Sequence, residues 1–248
     1  MQPFGVYYCH LDASFYVAIK LICFMKKFSL LALVILLFFS CKKDNGSPSV
    51  ETLTKGDLWG LQIGSSFADV YTRLQALGRE KNFDALSLNY QPPMLKPEDL
   101  QNRLSFYSGL TLQLQNPGRI EQVILYFSRD TIQSIEAGGG LPIEMAQWPA
   151  DVSNQIALKK GDSVSGIYNK LLAIFQLPTY NNNYQFFLGS KPLDKPFDPA
   201  MTKCEEWDFD FSVTISSGRV GRSSVNLFFK DGELYKIVHS YSEANVYN

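Results

Sequence analysis

The sequence predicts an α+β protein of two tandem helix-plus-antiparallel-sheet repeats, with the helices packed on the sheet. Three observations predict it. Residues 63–77, IGSSFADVYTRLQAL, recur at 160–174 as KGDSVSGIYNKLLAI, at a constant offset of 97. Beyond the second copy, Trp207, Phe209, Phe211, Val213 and Ile215 alternate with Asp208, Asp210, Ser212 and Thr214. Such period-two alternation is that of a strand with one apolar and one wet face. Asp231-Gly232 then separates two apolar runs, a strong hairpin signal because both central turn residues must tolerate positive φ.

Residues 1–40 read as leader and signal peptide. Lys26-Lys27 precede the 12-residue apolar run from Phe28 to Phe39. About 20 apolar residues are needed to cross a hydrocarbon layer ~30 Å thick, so this run is short for a span. It has the length and basic flank of a secretory signal. Residues 1–24 add apolar residues ahead of that flank, which places the expected true start at Met25. Ser40-Cys41-Lys42-Lys43-Asp44 resembles the cleavage box of bacterial lipoproteins, particularly those of the Bacteroidetes. That resemblance implies acylation of Cys41 and a lipid anchor in the outer membrane of the cell envelope, facing the periplasm or the surface. Two acyl chains hold a protein on a bilayer without a spanning helix. Residues 41–56 read as a tether, polar with Gly46 and Pro48.

Removing residues 1–40 takes three lysines and one aspartate from the 23 basic and 24 acidic residues, leaving 20 and 23 and a net charge of −3. A nucleic-acid partner needs a basic stripe, and none follows Lys42-Lys43. Of four cysteines, Cys9 and Cys23 lie in the leader and Cys41 is the acylation site. Cys204 alone remains, which excludes an internal disulfide and predicts a buried thiol. His239 is the only histidine left.

Repeat 1 is expected over 57–140 and repeat 2 over 156–248, joined by a linker at 141–155. Phe67, Val70, Tyr71 and Leu74 fall at i, i+3, i+4 and i+7, and Val164, Ile167, Tyr168 and Leu171 repeat the stripe, which predicts two amphipathic helices. Ser66 and Ser163 are the expected N-caps, and Gly78 the expected left-handed C-cap of the first helix. In the first copy LSFYSGLTLQLQ passes through Asn116-Pro117-Gly118 into RIEQVILYFS and TIQSIEA. In the second, WDFDFSVTI passes through Ser216-Ser217-Gly218 into RVGRSSVNLFF and ELYKIVHSY. Antiparallel sheet with one solvated face follows.

The residues Ile63-Gly64-Ser65-Ser66, Val70, Leu74, Leu77-Gly78 and Leu227-Phe228-Phe229-Lys230-Asp231-Gly232 resemble the tandem-repeat fold of the β-lactamase-inhibitor protein and of the small outer-membrane assembly lipoproteins called SmpA/OmlA. The resemblance spans most of 57–248 and implies a non-catalytic protein-binding or assembly module, with another envelope protein as partner.

Four features bear on chemistry. A Cys204–His239 dyad would need a nucleophile, a base and an orienter, and no spacing supports it. Glu205, Glu206, Asp208 and Asp210 form the densest acidic cluster, the basis of an alternative reading as a carboxylate-dependent hydrolase. No loop supplies the six or more oxygens of a Ca²⁺ site, so no metal or cofactor is expected. Gly138-Gly139-Gly140 lacks the Lys-Ser/Thr pair of a phosphate loop and reads as linker. The segment 179–192, TYNNNYQFFLGSKP, combines Tyr and Asn as recognition surfaces do. Its residues Tyr180, Asn182, Tyr184 and Phe187 are the expected partner-binding residues, and a second alternative is a glycan-binding envelope protein.

Overall fold

Ser66 and Ser163 each end an extended stretch and start a helix. Ser66 Oγ accepts the Asp69 N–H at 3.3 Å and Ser163 Oγ the Gly166 N–H at 3.2 Å, satisfying one free donor in each first turn. Helix α1 runs Phe67–Lys81 and α2 runs Val164–Phe175. Each buries its apolar stripe: Phe67, Val70, Tyr71, Leu74 and Leu77 in α1, and Val164, Ile167, Leu171 and Ile174 in α2. The expected cap at Gly78 is corrected. Helix α1 continues past it to Lys81, and Asn82 takes the left-handed conformation at φ 61°. Gly78 is required for space instead, since a Cβ there would stand 2.6 Å from both Leu193 Cδ1 and the Phe83 carbonyl oxygen.

The computed structural model describes residues 48–115, 121–138 and 142–245. The leader 1–40, the lipid-attachment residue Cys41, the Asn116-Pro117-Gly118 turn and Gly139-Gly140 lie outside the described residues. In chain order the strands are β1 (Ser49–Leu53), β2 (Asp57–Leu58), β3 (Leu61–Gln62), β4 (Ala85–Asn89), β5 (Gly109–Leu114), β6 (Gln122–Ser128), β7 (Thr131–Gly138), β8 (Ile143–Glu144), β9 (Gln147–Trp148), β10 (Leu158–Lys159), β11 (Tyr184–Leu188), β12 (Lys191–Pro192), β13 (Glu206–Ser216), β14 (Arg219–Lys230) and β15 (Glu233–Asn245). They form an antiparallel six-stranded sheet, β1-β15-β14-β13-β4-β12, and a five-stranded sheet, β11-β5-β6-β7-β8, with ribbons β2-β3 and β9-β10. Part of the segment read as tether is thus strand, with Ser49–Leu53 paired along β15. No helix among the described residues is long and apolar enough to cross a membrane.

The expected fold class of two tandem helix-plus-antiparallel-sheet repeats, with helices packed on the sheet, is corrected on this evidence. The fold is mostly β, with large antiparallel sheets and only two α-helices among the described residues. The copies do not stand as separate units, because they exchange elements. β4 from the first copy pairs with β13 from the second, and β11 from the second pairs with β5 from the first. Phe67 of α1 stacks on Phe229 of the second copy, ring centroids 4.1 Å apart, and Phe175 of α2 lies 5.1 Å from Phe186. One hydrophobic cluster runs through both copies.

Turn chemistry explains how the exchange is pinned. Asp231 and Gly232 adopt φ of 54° and 90° at the β14–β15 turn, and Arg129 and Asp130 adopt 51° and 57° at the β6–β7 turn. The first turn docks at the start of α1, where Gly64 N–H donates to the Leu234 carbonyl at 2.8 Å and Leu234 N–H to Ser65 at 2.9 Å. The second docks at the start of α2, where Val164 N–H donates to the Asp130 carbonyl and Ile132 N–H to Asp162, both at 2.9 Å. Each hairpin therefore closes on the helix start of the other copy.

Candidate functional site

A candidate site follows from this crossing. The last turn of α1, the β6–β7 turn, the start of α2 and the segment 190–195 converge around an open cleft of about 1110 Å³. Asn82 and Arg129 present polar groups from left-handed turns. Three cations, Arg79, Arg129 and Lys195, and three carboxylates, Asp84, Asp130 and Asp194, line it. Lys195 Nζ pairs with Asp130 Oδ1 at 3.3 Å. Arg79 and Arg129 are exposed and form no ion pair among the described residues. Hydroxyls of Ser105, Ser108, Ser128 and Ser190 complete a lining that also shows Phe83, Phe127 and Pro192.

Helix α1 holds the 191–195 wall in place. Gln75 Nε2 donates to the Leu193 carbonyl at 2.7 Å. The Tyr71 hydroxyl lies 3.0 Å from the Pro192 carbonyl oxygen and 2.9 Å from that of Lys195. Behind this wall Lys191 is fully buried and its Nζ donates to Tyr71 Oη at 2.8 Å and to the Pro192 carbonyl at 3.2 Å. Asp198, also buried, accepts from Tyr107 Oη at 2.7 Å and Arg103 Nε at 3.0 Å through Oδ2, and from Ala200 N–H at 3.0 Å through Oδ1. Tyr107 lines the cleft. This polar cluster fixes one wall of the cleft from inside, because each buried polar group must find a partner there.

Burial depresses the Lys191 ammonium from its ordinary value of 10.5 to about 8, against the opposing pull of Asp198 and Asp194. Below pH 8 the buried charge is carried in the folded state and costs stability. Between pH 8 and 10.5 the unfolded chain binds the extra proton, so stability rises with pH. Lys191 taken alone contributes on the order of 3 kcal/mol across the full window. Above pH 10 the trend reverses, because burial raises the phenols of Tyr71 and Tyr107 above their ordinary value of 10. Urea unfolding as a function of pH should therefore show stability climbing from pH 8 to about 9, above which the buried Cys204 thiol, raised to about 11, offsets the gain. In Lys191→Met that climb should vanish, with no loss of stability at neutral pH, since an apolar replacement of a buried ion is often neutral or stabilising. An unchanged climb in the variant would show that another group titrates.

The residues expected from sequence to bind a partner do not line this cleft. Tyr184 is buried in the core, its ring 5.3 Å from Trp148. Tyr180 is half-buried, 5.7 Å from the same indole, and its hydroxyl donates to Asp151. Asn182 is exposed at φ 55° in the turn between α2 and β11. Phe187 is half-buried, and strand alternation puts it on the opposite face of β11 from Tyr184 and Phe186. The structure thus brings Tyr180 and Tyr184 together over Trp148 and leaves Asn182 and Phe187 apart from them.

The other chemistries are placed as follows. Cys204 is buried at the end of a 3-10 helix, and burial pushes its thiol up to about 11, which makes it a poor nucleophile at neutral pH. His239 sits elsewhere, its Nε2 3.2 Å from Ser223 Oγ and its ring 5.0 Å from Trp59. Glu206 and Asp208 converge on one amide, with Asn89 Nδ2 donating to Glu206 Oε1 at 3.0 Å and to Asp208 Oδ1 at 2.7 Å. Burial raises the Asp208 carboxyl above its ordinary value, opposed by hydrogen bonds from Ser87 and Asn89 and reinforced by Asp210 and Glu206. This pair does not line the cleft. Among the described residues no group of three His, Cys, Asp or Glu side chains is arranged to hold a metal.

Sequence reasoning missed Arg79, Arg129 and Lys195. The available signal was local: an arginine in the last turn of a helix, and an Arg-Asp pair between Ser128 and Thr131 where a two-residue turn fits. Comparison of the chain with protein-family profiles, with curated proteins and with solved structures finds no match.

Proposed function

We propose that this chain is a lipid-anchored cell-envelope protein that binds, without chemistry, a polypeptide segment of another envelope protein in the cleft between the crossed copies. The observation that carries this reading is the pair Arg79 and Arg129, two exposed guanidiniums facing a cleft of about 1110 Å³ with no ion-pair partner among the described residues. Guanidinium forks favour carboxylates. Asp84 and Asp194 on the same lining offer acceptors, so a chain of mixed charge with acidic side chains complements it. The acylated Cys41 supplies residence at the envelope.

The test is site-specific photo-crosslinking in cells, with the crosslinker at Ser105 on the cleft rim and at Tyr126, an exposed position outside it. A single polypeptide adduct is expected at 105 and none at 126. Arg79→Glu combined with Arg129→Glu should abolish the adduct, with stability changed by no more than about 0.5 kcal/mol per exposed site. An adduct that survives the charge reversal counts against the cleft. An adduct to a glycan favours the glycan-binding alternative.

A further inference from the structure

Strands β13 and β14 run past the core. Residues 212–219 are all exposed, with Val213 at 49% and Ile215 at 43%. Register locates this overhang relative to the N-terminal end of β1. Ser49, the first residue of β1, pairs with Tyr241, which pairs with Ser223, which pairs with Phe211. From the level of Phe211 to Ser216 is five residues, so the hairpin overhangs Ser49 by about 16 Å at the usual strand rise. β1 is antiparallel to β15, and its last residue, Leu53, pairs with Ile237 near the core. The N-terminal end of β1 therefore faces the side to which the hairpin projects.

Eight peptide steps separate Cys41 from Ser49. A segment of that length reaches at most about 28 Å, more than the overhang. We propose that the free end of the β13–β14 hairpin rests on the same lipid surface that holds the acyl groups of Cys41. This rests on the lipid-anchor reading above. Val213 and Ile215 are both exposed near the free end of the hairpin and present apolar surface to the acyl boundary, as interfacial segments do. The backbone there is paired on one side across the hairpin, Val213 with Gly221 and Thr214 with Val220, while the outer edge of β13 past Asp208 has no strand beside it among the described residues, so the contact is an interfacial one in which the edge groups keep water. Arg219 is paired with Glu243, whereas exposed Arg222 has no ion pair among the described residues. A free guanidinium there favours anionic headgroups. The hairpin then sets the orientation of the folded domain, and the acyl chains its residence.

The test uses the full acylated protein in vesicles of phosphatidylethanolamine and phosphatidylglycerol carrying headgroup-nitroxide lipid. A fluorophore is attached at Ile215→Cys or, as control, at Tyr126→Cys on the other sheet. Labelling is selective because Cys204 is buried and Cys41 is acylated. Quenching at 215 is expected to exceed that at 126 severalfold, and to fall when Val213→Asp is added. Equal quenching at the two positions in membrane-bound protein overturns the hairpin contact and leaves the anchor intact. A Cys41→Ser protein that still fractionates with native membranes sinks the anchor reading and this proposal with it.

Discussion

Asp198→Ala is expected to lower folding stability by about 3–5 kcal/mol, the usual cost of removing one partner from a buried charged pair. Asp198 is 3% exposed and satisfies three donors at once: the Arg103 guanidinium, the Tyr107 hydroxyl and the Ala200 N–H. Truncation leaves all three without their acceptor, and Arg103 is itself three-quarters covered. Asp198→Asn keeps an acceptor oxygen and should recover part of the loss. Tyr107→Phe should cost only about 1 kcal/mol, the net worth of one hydrogen bond. Urea denaturation of the three variants measures the order Ala, Asn, Phe. An alanine variant within about 1 kcal/mol of the parent would mean that water replaces the carboxylate, and that the wall behind the cleft is open.

Phe67→Ala should cost a similar amount, about 3–5 kcal/mol, by leaving a cavity where a large ring was. The more informative measurement is its coupling to Phe229. The rings stack at 4.1 Å, and Trp207 lies 5.4 Å from Phe67 and 4.6 Å from Phe229. Residues in contact show coupling energies of about 0.5–3 kcal/mol in a double-mutant cycle. Phe67→Ala with Phe229→Ala should therefore destabilise by less than the two single changes together. Strict additivity would place the two rings in separate cores, as an arrangement of self-contained repeats requires.

These two variants also separate what was readable in the chain from what was not. The stripes Phe67-Val70-Tyr71-Leu74 and Val164-Ile167-Leu171 appear as buried helix faces with Ser66 and Ser163 at their starts. The alternation from Trp207 to Phe211 appears as a strand with one buried face. Asp231-Gly232 appears as a turn with both residues at positive φ. All of these depend on neighbours within four positions, so a linear reading reaches them. The same reading placed Tyr184 on a binding surface, because nothing local says that Trp148, 36 positions away, covers it.

By itself, then, the sequence determined where the two helices begin, which faces of those helices and of β13 are apolar and where the β14–β15 hairpin turns, since backbone geometry and side-chain periodicity are local properties. Which copy's strands receive which copy's helix was decided only in three dimensions. So were the burial of Lys191 beside Tyr71, 120 residues away, and the meeting of Arg79, Arg129 and Lys195 at one cleft. The physical reason is that the two copies carry nearly the same helix stripe, so the stripe alone does not select a sheet face. The choice between them rests on hairpin docking and ring packing between segments far apart in the chain, and no short window of residues records it.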